Sequence, residues 1–327
     1  MKVKIAELRE LGLKALQKFN YSPEESKTIL EILLYAQLRG NNQGIVKLIG
    51  IGYPKHPEAK PFEIVKETKL STLINGHLSP AMIVLKKATE LTITKAKEHG
   101  FGICGTNNTN SSTGAIGYYA NEIAKEGLIG FVFAGSPELV ATHGSFEPVF
   151  GTNPLAVGVP SEEEPIVLDM ATAAMARYGL IEAKTTGRSI PDNTAYDKEG
   201  NVTTDPAAAL EGAIMTFDRS YKSAGLAMII EILTGSLVGA AFTGIGDSNN
   251  WGNLVFAIDP DLLTDIETFK KDISAMIKKV KGAKKLPGVK EIYIPGERGN
   301  NLARKRLAAG EIEIEDNLYN ELQKAAV

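Results

Sequence analysis

Residues 101–134, FGICGTNNTNSSTGAIGYYANEIAKEGLIGFVFA, decide the fold. An apolar run, Phe101 to Gly105, leads into a polar stretch rich in Asn and Ser. A helix-period segment, Gly114 to Lys125, follows, and then a second apolar run, Leu128 to Ala134. Short apolar runs bounded by glycine read as buried strands. Apolar residues at three- and four-residue spacing read as one face of a helix. A strand, a helix and a strand in succession belong to a layered α/β architecture.

The alternation continues outward in both directions. Leu155 to Val159, Ile166 to Asp169, Leu254 to Ile258 and Glu291 to Ile294 read as strands, and Tyr221 to Phe242 as a long buried helix. Asp265 to Lys281 reads as a charged amphipathic helix, and Asn300 to Ala326 as short helices. Towards the N-terminus, Ile5 to Phe19 has helical periodicity. Ser22-Pro23-Glu24-Glu25 supplies an N-cap, a proline in the first turn and a capping-box glutamate for a second helix, which Gly40 ends. A third helix begins at Ser79-Pro80 and stops at His99-Gly100. The expectation is a three-layer α/β core over residues 76–262, with a smaller helical domain built from both chain ends, 1–75 with 263–327.

Composition narrows the function. The 327 residues are 43% hydrophobic and 23% charged, which suits a globular protein. A formal net charge of −3 gives no basic surplus for phosphate neutralisation, so no nucleic-acid partner is expected. The N-terminus MKVKIAELRE has no apolar signal core, and no long charge-free apolar run suggests a membrane partner; a cytoplasmic location is expected. Cys104, the one cysteine, reads as a buried inert thiol.

Familiar catalytic patterns are absent. Gly50-Ile51-Gly52 runs into Tyr53-Pro54, and Gly244-Ile245-Gly246 follows a helix, so neither is a Rossmann phosphate turn. His56, His77, His99 and His143 lack metal-ligand spacing, and no metal site is expected. What remains is a series of polar, glycine-bearing segments, each individually consistent with ordinary turn chemistry. They are GNNQG (40–44), TNNTNSSTG (106–114), THGS (142–145), GTNP (151–154), DMAT (169–172) and PGER (295–298).

Taken in order with their surroundings, these segments resemble one family. EPVFGTNPLAVGVP (147–160), PIVLDMAT (165–172), GNVTTDPAAALEGA (200–213), YKSAGLAMIIEILTGSLVGAAF (221–242) and IPGER (294–298) look like the type-2 malate/lactate dehydrogenases. That group includes sulfolactate, ureidoglycolate and diketogulonate dehydrogenases and the cyclic ketimine reductases. The resemblance implies a mixed-sheet, sulfolactate-dehydrogenase-like fold rather than a Rossmann fold, a homodimer, and NAD or NADP as cofactor. It places cofactor contacts at Leu168, Asp169, Met170, Ala171, Thr172, Ala173 and Ala174, at Tyr221 and Lys222, at Gly296, Glu297 and Arg298, and at Ser112. A small carboxylate is the implied substrate.

The sequence departs from the family where the chemistry should be. The family's Ser-His-Gly motif, with an arginine three residues on, is here Asn42-Gln43-Gly44 with Lys47. The histidine exchanges a proton with the substrate, and the arginine holds its carboxylate. A carboxamide can orient a carbonyl but has no useful pKa near neutrality. Lys47 keeps a charge but loses the bidentate geometry. In a second motif, Ser112 and Thr113 stand where the family has His and Phe, and His143 stands where it has Trp. His143, Asp169 and Lys47 are candidate replacement acids. Three functions fit: a dehydrogenase or reductase of a small 2-keto or 2-hydroxy acid or cyclic 2-imino acid, a relative that binds nucleotide or metabolite without turnover, or a scaffold that kept only the dimer.

Overall fold

A computed structural model describes residues 1–50 and 52–327; Ile51, in the Gly50-Ile51-Gly52 segment, lies outside the described residues. The centre is a seven-stranded sheet of β1 (Glu63–Glu67), β2 (Ser71–Asn75), β3 (Phe101–Thr109), β4 (Ile129–Ala134), β5 (Leu155–Val159), β6 (Ile166–Met170) and β7 (Trp251–Ile258). Its order is β1-β2-β3-β7-β4-β5-β6. The β2–β3 pair is parallel and the rest are antiparallel, so the sheet is mixed, as expected.

Ten α-helices surround it: α1 (Ile5–Lys18), α2 (Pro23–Leu38), α3 (Ala81–His99), α4 (Gly117–Lys125), α5 (Arg177–Thr186), α6 (Pro206–Glu211), α7 (Tyr221–Thr234), α8 (Ile266–Lys281), α9 (Glu297–Ala309) and α10 (Asp316–Ala326), counted among the described residues. Alternation along β7 shows the layering. Val255 and Ala257 join the large core under α1 to α4, while Leu254 joins Val238 and Ala240 on the opposite face, where Leu233 of α7 packs. Period-2 burial of this kind puts helices on both sides of one sheet. A smaller five-stranded sheet carries Val140–Ala141, Pro148–Phe150, Ala195–Tyr196, Val202–Thr203 and Ala213–Ile214.

Local signals act as the sequence suggests at the N-terminus. Ser22 Oγ accepts from the Glu25 amide at 3.2 Å, and the Ser22 amide donates to Glu25 Oε2 at 2.8 Å, closing the capping box. The β1–β2 hairpin enters the large sheet through β3. Elsewhere the structure corrects the expectations. Glu291–Ile294 forms no strand: Pro295 lacks the amide needed for a ladder beside β6, and Gly296 turns away at φ +85°.

The apolar stretch after Tyr221 is neither one helix nor fully buried. α7 ends at Thr234, and a 3-10 turn, Ser236–Val238, follows. Tyr221–Val238 has the length and mean hydropathy of a candidate membrane span. Yet the 14-residue α7 rises only about 21 Å at 1.5 Å per residue, short of a ~30 Å hydrocarbon core. Ala227 and Ile230 are buried against the protein, whereas Met228, Ile229 and Ile232 are exposed.

Candidate active site

The Gly151-Thr152-Asn153-Pro154 segment works as a bracket. A side chain at Gly151 would bring Cβ within 2.4 Å of Ser136 O, which only glycine avoids. The Thr152 amide donates to Ser136 Oγ at 3.0 Å, and Thr152 O accepts from both the amide and Oγ1 of Thr172, at 3.0 and 3.1 Å. Buried Asn153 donates to Glu231 Oε2 at 2.6 Å and to Ala227 O at 3.0 Å. Three loops and α7 are thereby fixed around one opening.

That opening is a cleft of about 1040 Å³. On one side stand Asp169, Met170, Ala171, Ala173 and Ala174, leaving the end of β6, continued by Arg177 and Tyr178 of α5. Asn42, Gln43, Ser111, Ser112 and Thr113 complete that wall, with Asn42 beside Gly179 of α5. Sites for drug-sized ligands span roughly 300–1,000 Å³, so this one has room for more than a single small acid. A second cavity of about 460 Å³ adjoins it, lined by Leu168, Gly296 and Gly299; Arg39, Asp169 and Arg298 line both. Arg39 is held in place, stacked 3.6 Å from the Tyr35 ring centroid and donating to Asn300 Oδ1 at 3.1 Å.

Asp169 is the carboxylate where the two cavities meet. Its side chain opens into the cleft, but protein surrounds it on the other sides. That desolvation pushes its pKa up to about 6, against the opposing pull of the Gly117 amide, which donates to Oδ2 at 2.9 Å. Gly117 permits the approach, since a Cβ there would lie 2.8 Å from the same oxygen.

Gln43 lines the cleft half-buried. Its backbone amide donates to Asn41 Oδ1 at 2.9 Å, and its side-chain Nε2 donates to Asn42 Oδ1 at 3.4 Å. Lys47 lies behind that wall. It is 1% exposed, and its Nζ donates to Ser112 Oγ at 2.7 Å and sits 3.3 Å from the Tyr178 ring centroid. The side chain that opens onto the cleft is Ser112.

Several anticipated residues stand elsewhere. His143 is exposed on the turn between two strands of the small sheet and does not line the cleft, because the bracket directs residues 151–154 inward and leaves this turn outside. Thr172 is buried and occupied by Thr152. Glu297 is ion-paired with Lys281 and accepts from the Ile294 amide at 3.1 Å, so it caps its own turn. Tyr221 and Lys222 are exposed at the start of α7, away from their own chain's cleft. Sequence reasoning missed Arg39, Arg177 and Tyr178; an arginine beside the DMAT segment was the available signal.

The cleft therefore lies at a strand end of a mixed sheet, with small residues on one wall and cations around it. The chain belongs to the malate/L-lactate dehydrogenase family, whose profile matches residues 3–323. It is 36% identical over 332 residues to the malate/(S)-sulfolactate dehydrogenase of Methanothermus fervidus, covering 98% of this chain and 96% of that one. Its structure matches the sulfolactate dehydrogenase of Methanocaldococcus jannaschii with a TM-score of 0.83 and 33% identity, over 99% of this chain and 96% of that chain. It is also 31% identical over 268 residues to a Delta(1)-pyrroline-2-carboxylate reductase of Burkholderia ambifaria, 78% of each chain.

Proposed function

We propose that the cleft binds NAD or NADP together with a small 2-keto or 2-hydroxy acid, or a cyclic 2-imino acid, and interconverts its oxidised and reduced forms. The observation that carries this is the joined pair of cavities, with Asp169 between them, Arg39 and Arg298 shared by both, and Gln43, Ser112 and Arg177 around the larger. The residues present fit a dinucleotide. Two arginines suit its phosphates, Asp169 suits hydroxyl groups, and Ala171, Ala173 and Ala174 let a flat ring approach the backbone.

When bound, the reduced nicotinamide supplies a hydride to the carbonyl or imine carbon. Arg177, at the first turn of α5 and without an ion-pair partner among the described residues, provides the free cation for the substrate carboxylate. Gln43 offers amide N–H groups to orient a carbonyl oxygen. A protonated imine already carries the proton that a keto acid must obtain, which favours imino acids in a site whose family histidine is replaced by Gln43.

The exposed apolar face of α7, with Met228, Ile229, Ile232 and nearby Leu237, supports the homodimer. Initial rates with each cofactor against keto, hydroxy and imino acids test the function. Cofactor binding without turnover on any of them would favour the non-catalytic alternative, which Gln43 motivates.

A further inference from the structure

A lysine ammonium is normally left in water, and burying it unpaired costs several kcal/mol. Lys47 is nevertheless buried in the middle of the 3-10 turn Ile45–Leu48, whose four residues are all buried. No carboxylate pairs with it among the described residues. Its neighbours are Ser112 Oγ, the face of Tyr178, and Arg177, which repels a positive charge. Burial first, and Arg177 second, hold the amine well below the usual lysine range. Tyr178 on α5 and Tyr53, which donates to Ser112 O at 2.7 Å, are both pushed upward by burial and stay neutral. The helices α1, α2 and α10 also pack on this turn and contribute no charge that acts on Nζ.

Ser112 Oγ is wired on its inner side. It accepts from the Gly114 amide at 3.2 Å and meets Lys47 Nζ at 2.7 Å. A hydroxyl has one proton to donate and two acceptor positions. While Lys47 is an ammonium, it and Gly114 fill both acceptor positions, so the Ser112 proton is directed into the cleft. Once Lys47 is a neutral amine, the Ser112 proton turns to Nζ, and an Oγ lone pair faces the cleft instead. The pair therefore presents a donor or an acceptor at one place, according to one proton.

We propose that Ser112 is the catalytic residue that exchanges a proton with the substrate, and that Lys47, acting through Ser112 Oγ, takes up or returns that proton in the role the family gives to histidine. This rests on the dehydrogenase assignment of the cleft. In the oxidation of a hydroxy acid, the substrate O–H proton passes to Ser112 Oγ as the serine's own proton passes to Lys47 Nζ. The C–H hydrogen leaves with its electron pair to the oxidised nicotinamide dinucleotide, and a carbonyl forms. Once the product leaves, the Lys47 ammonium returns its proton through Ser112 Oγ to solvent in the cleft. Reduction runs the same transfers backwards.

The test uses the full-length protein and three variants. Lys47→Arg keeps the charge but cannot titrate, Ser112→Ala removes the hydroxyl, and Ser112→Thr restores one. In lysine ¹³Cε NMR without cofactor, one resonance absent from Lys47→Arg should titrate below all other lysines. Ser112→Ala should lower kcat for hydroxy-acid oxidation about 10²–10⁴-fold, the range of a general acid or base, and Ser112→Thr should recover part of it. The limb of the kcat–pH profile that requires a deprotonated group should vanish in Lys47→Arg. The small serine changes keep the test valid if Lys47→Arg does not fold. Normal wild-type turnover with Lys47 titrating among the surface lysines, or Ser112→Ala raising KM with kcat and pH profile unchanged, would overturn the relay alone. Absence of wild-type turnover on every acid and imine refutes the dehydrogenase assignment and the relay with it.

Discussion

The backbone amide of Gly117 donates a 2.9 Å hydrogen bond to Asp169 Oδ2, tying the first turn of α4 to the end of β6 where the two cavities meet. The amide and the helix N-terminus favour the ionised carboxyl, and the surrounding protein disfavours it more strongly.

A pH dependence follows with a definite sign. With a folded pKa of about 6 against 3.8 for an ordinary Asp, the folded state binds more protons between those values. The stability contributed by the protonated carboxyl is complete below about pH 3.8 and is lost as pH rises through about 6. Asp169→Asn keeps an acceptor for Gly117 and cannot ionise. Its Tm should exceed that of the wild type above pH 6, and the gap should close towards pH 4. A gap independent of pH would assign the effect to packing.

Arg177 should act on binding rather than on the chemical step. Losing a charge-assisted contact is worth about 1.5–3 kcal/mol, so Arg177→Ala should raise KM for the acid about 10- to 150-fold and change kcat much less. Steady-state kinetics at saturating cofactor provide the check. A fall in kcat at constant KM would place the carboxylate elsewhere.

Gln43→His separates two sources of the proton. If Ser112 and Lys47 carry it, a histidine at position 43 should leave keto-acid reduction within a few-fold of the wild type. A rise of about 10²–10⁴-fold would instead assign proton transfer to position 43.

The apolar face of α7 sets the oligomeric state. Ile229→Glu with Ile232→Glu places two charges on a face that is exposed in the isolated chain, where they cost the monomer little. Sedimentation should show twice the 35.1 kDa chain mass for the wild type and the chain mass for the double variant. Unchanged dimers in the variant would move the interface elsewhere.

Much of the fold is legible because its signals are local. The capping box at Ser22, Gly100 after α3 (φ +80°) and the apolar runs of β3 to β5 each depend on a few adjacent residues. β1 escapes because all five of its residues, Glu63–Glu67, are exposed, so no apolar alternation marks it. α7 misleads because its apolar residues run round the helix, and only packing shows which face is covered. At the site, the Asp169–Ala174 wall is legible from one contiguous motif. Lys47 and Ser112 lie 65 residues apart, and no spacing rule joins a buried amine to a cleft hydroxyl. His143 is the opposite case: its chemistry is suitable, but the turn that carries it faces outward.

The central claim is that this cleft transfers reducing equivalents between a nicotinamide cofactor and a small 2-substituted carboxylate. The most direct measurement follows nicotinamide absorbance on mixing the purified protein with NADH or NADPH and, in turn, a 2-keto acid and a cyclic 2-imino acid, with the matching 2-hydroxy acid and the oxidised cofactor as the reverse reaction. The account predicts saturable, enzyme-dependent turnover of at least one pair, slowed about 10²–10⁴-fold in Ser112→Ala where that pair is a keto acid and its hydroxy acid. No turnover of any pair, at cofactor and substrate concentrations in the millimolar range, would contradict it.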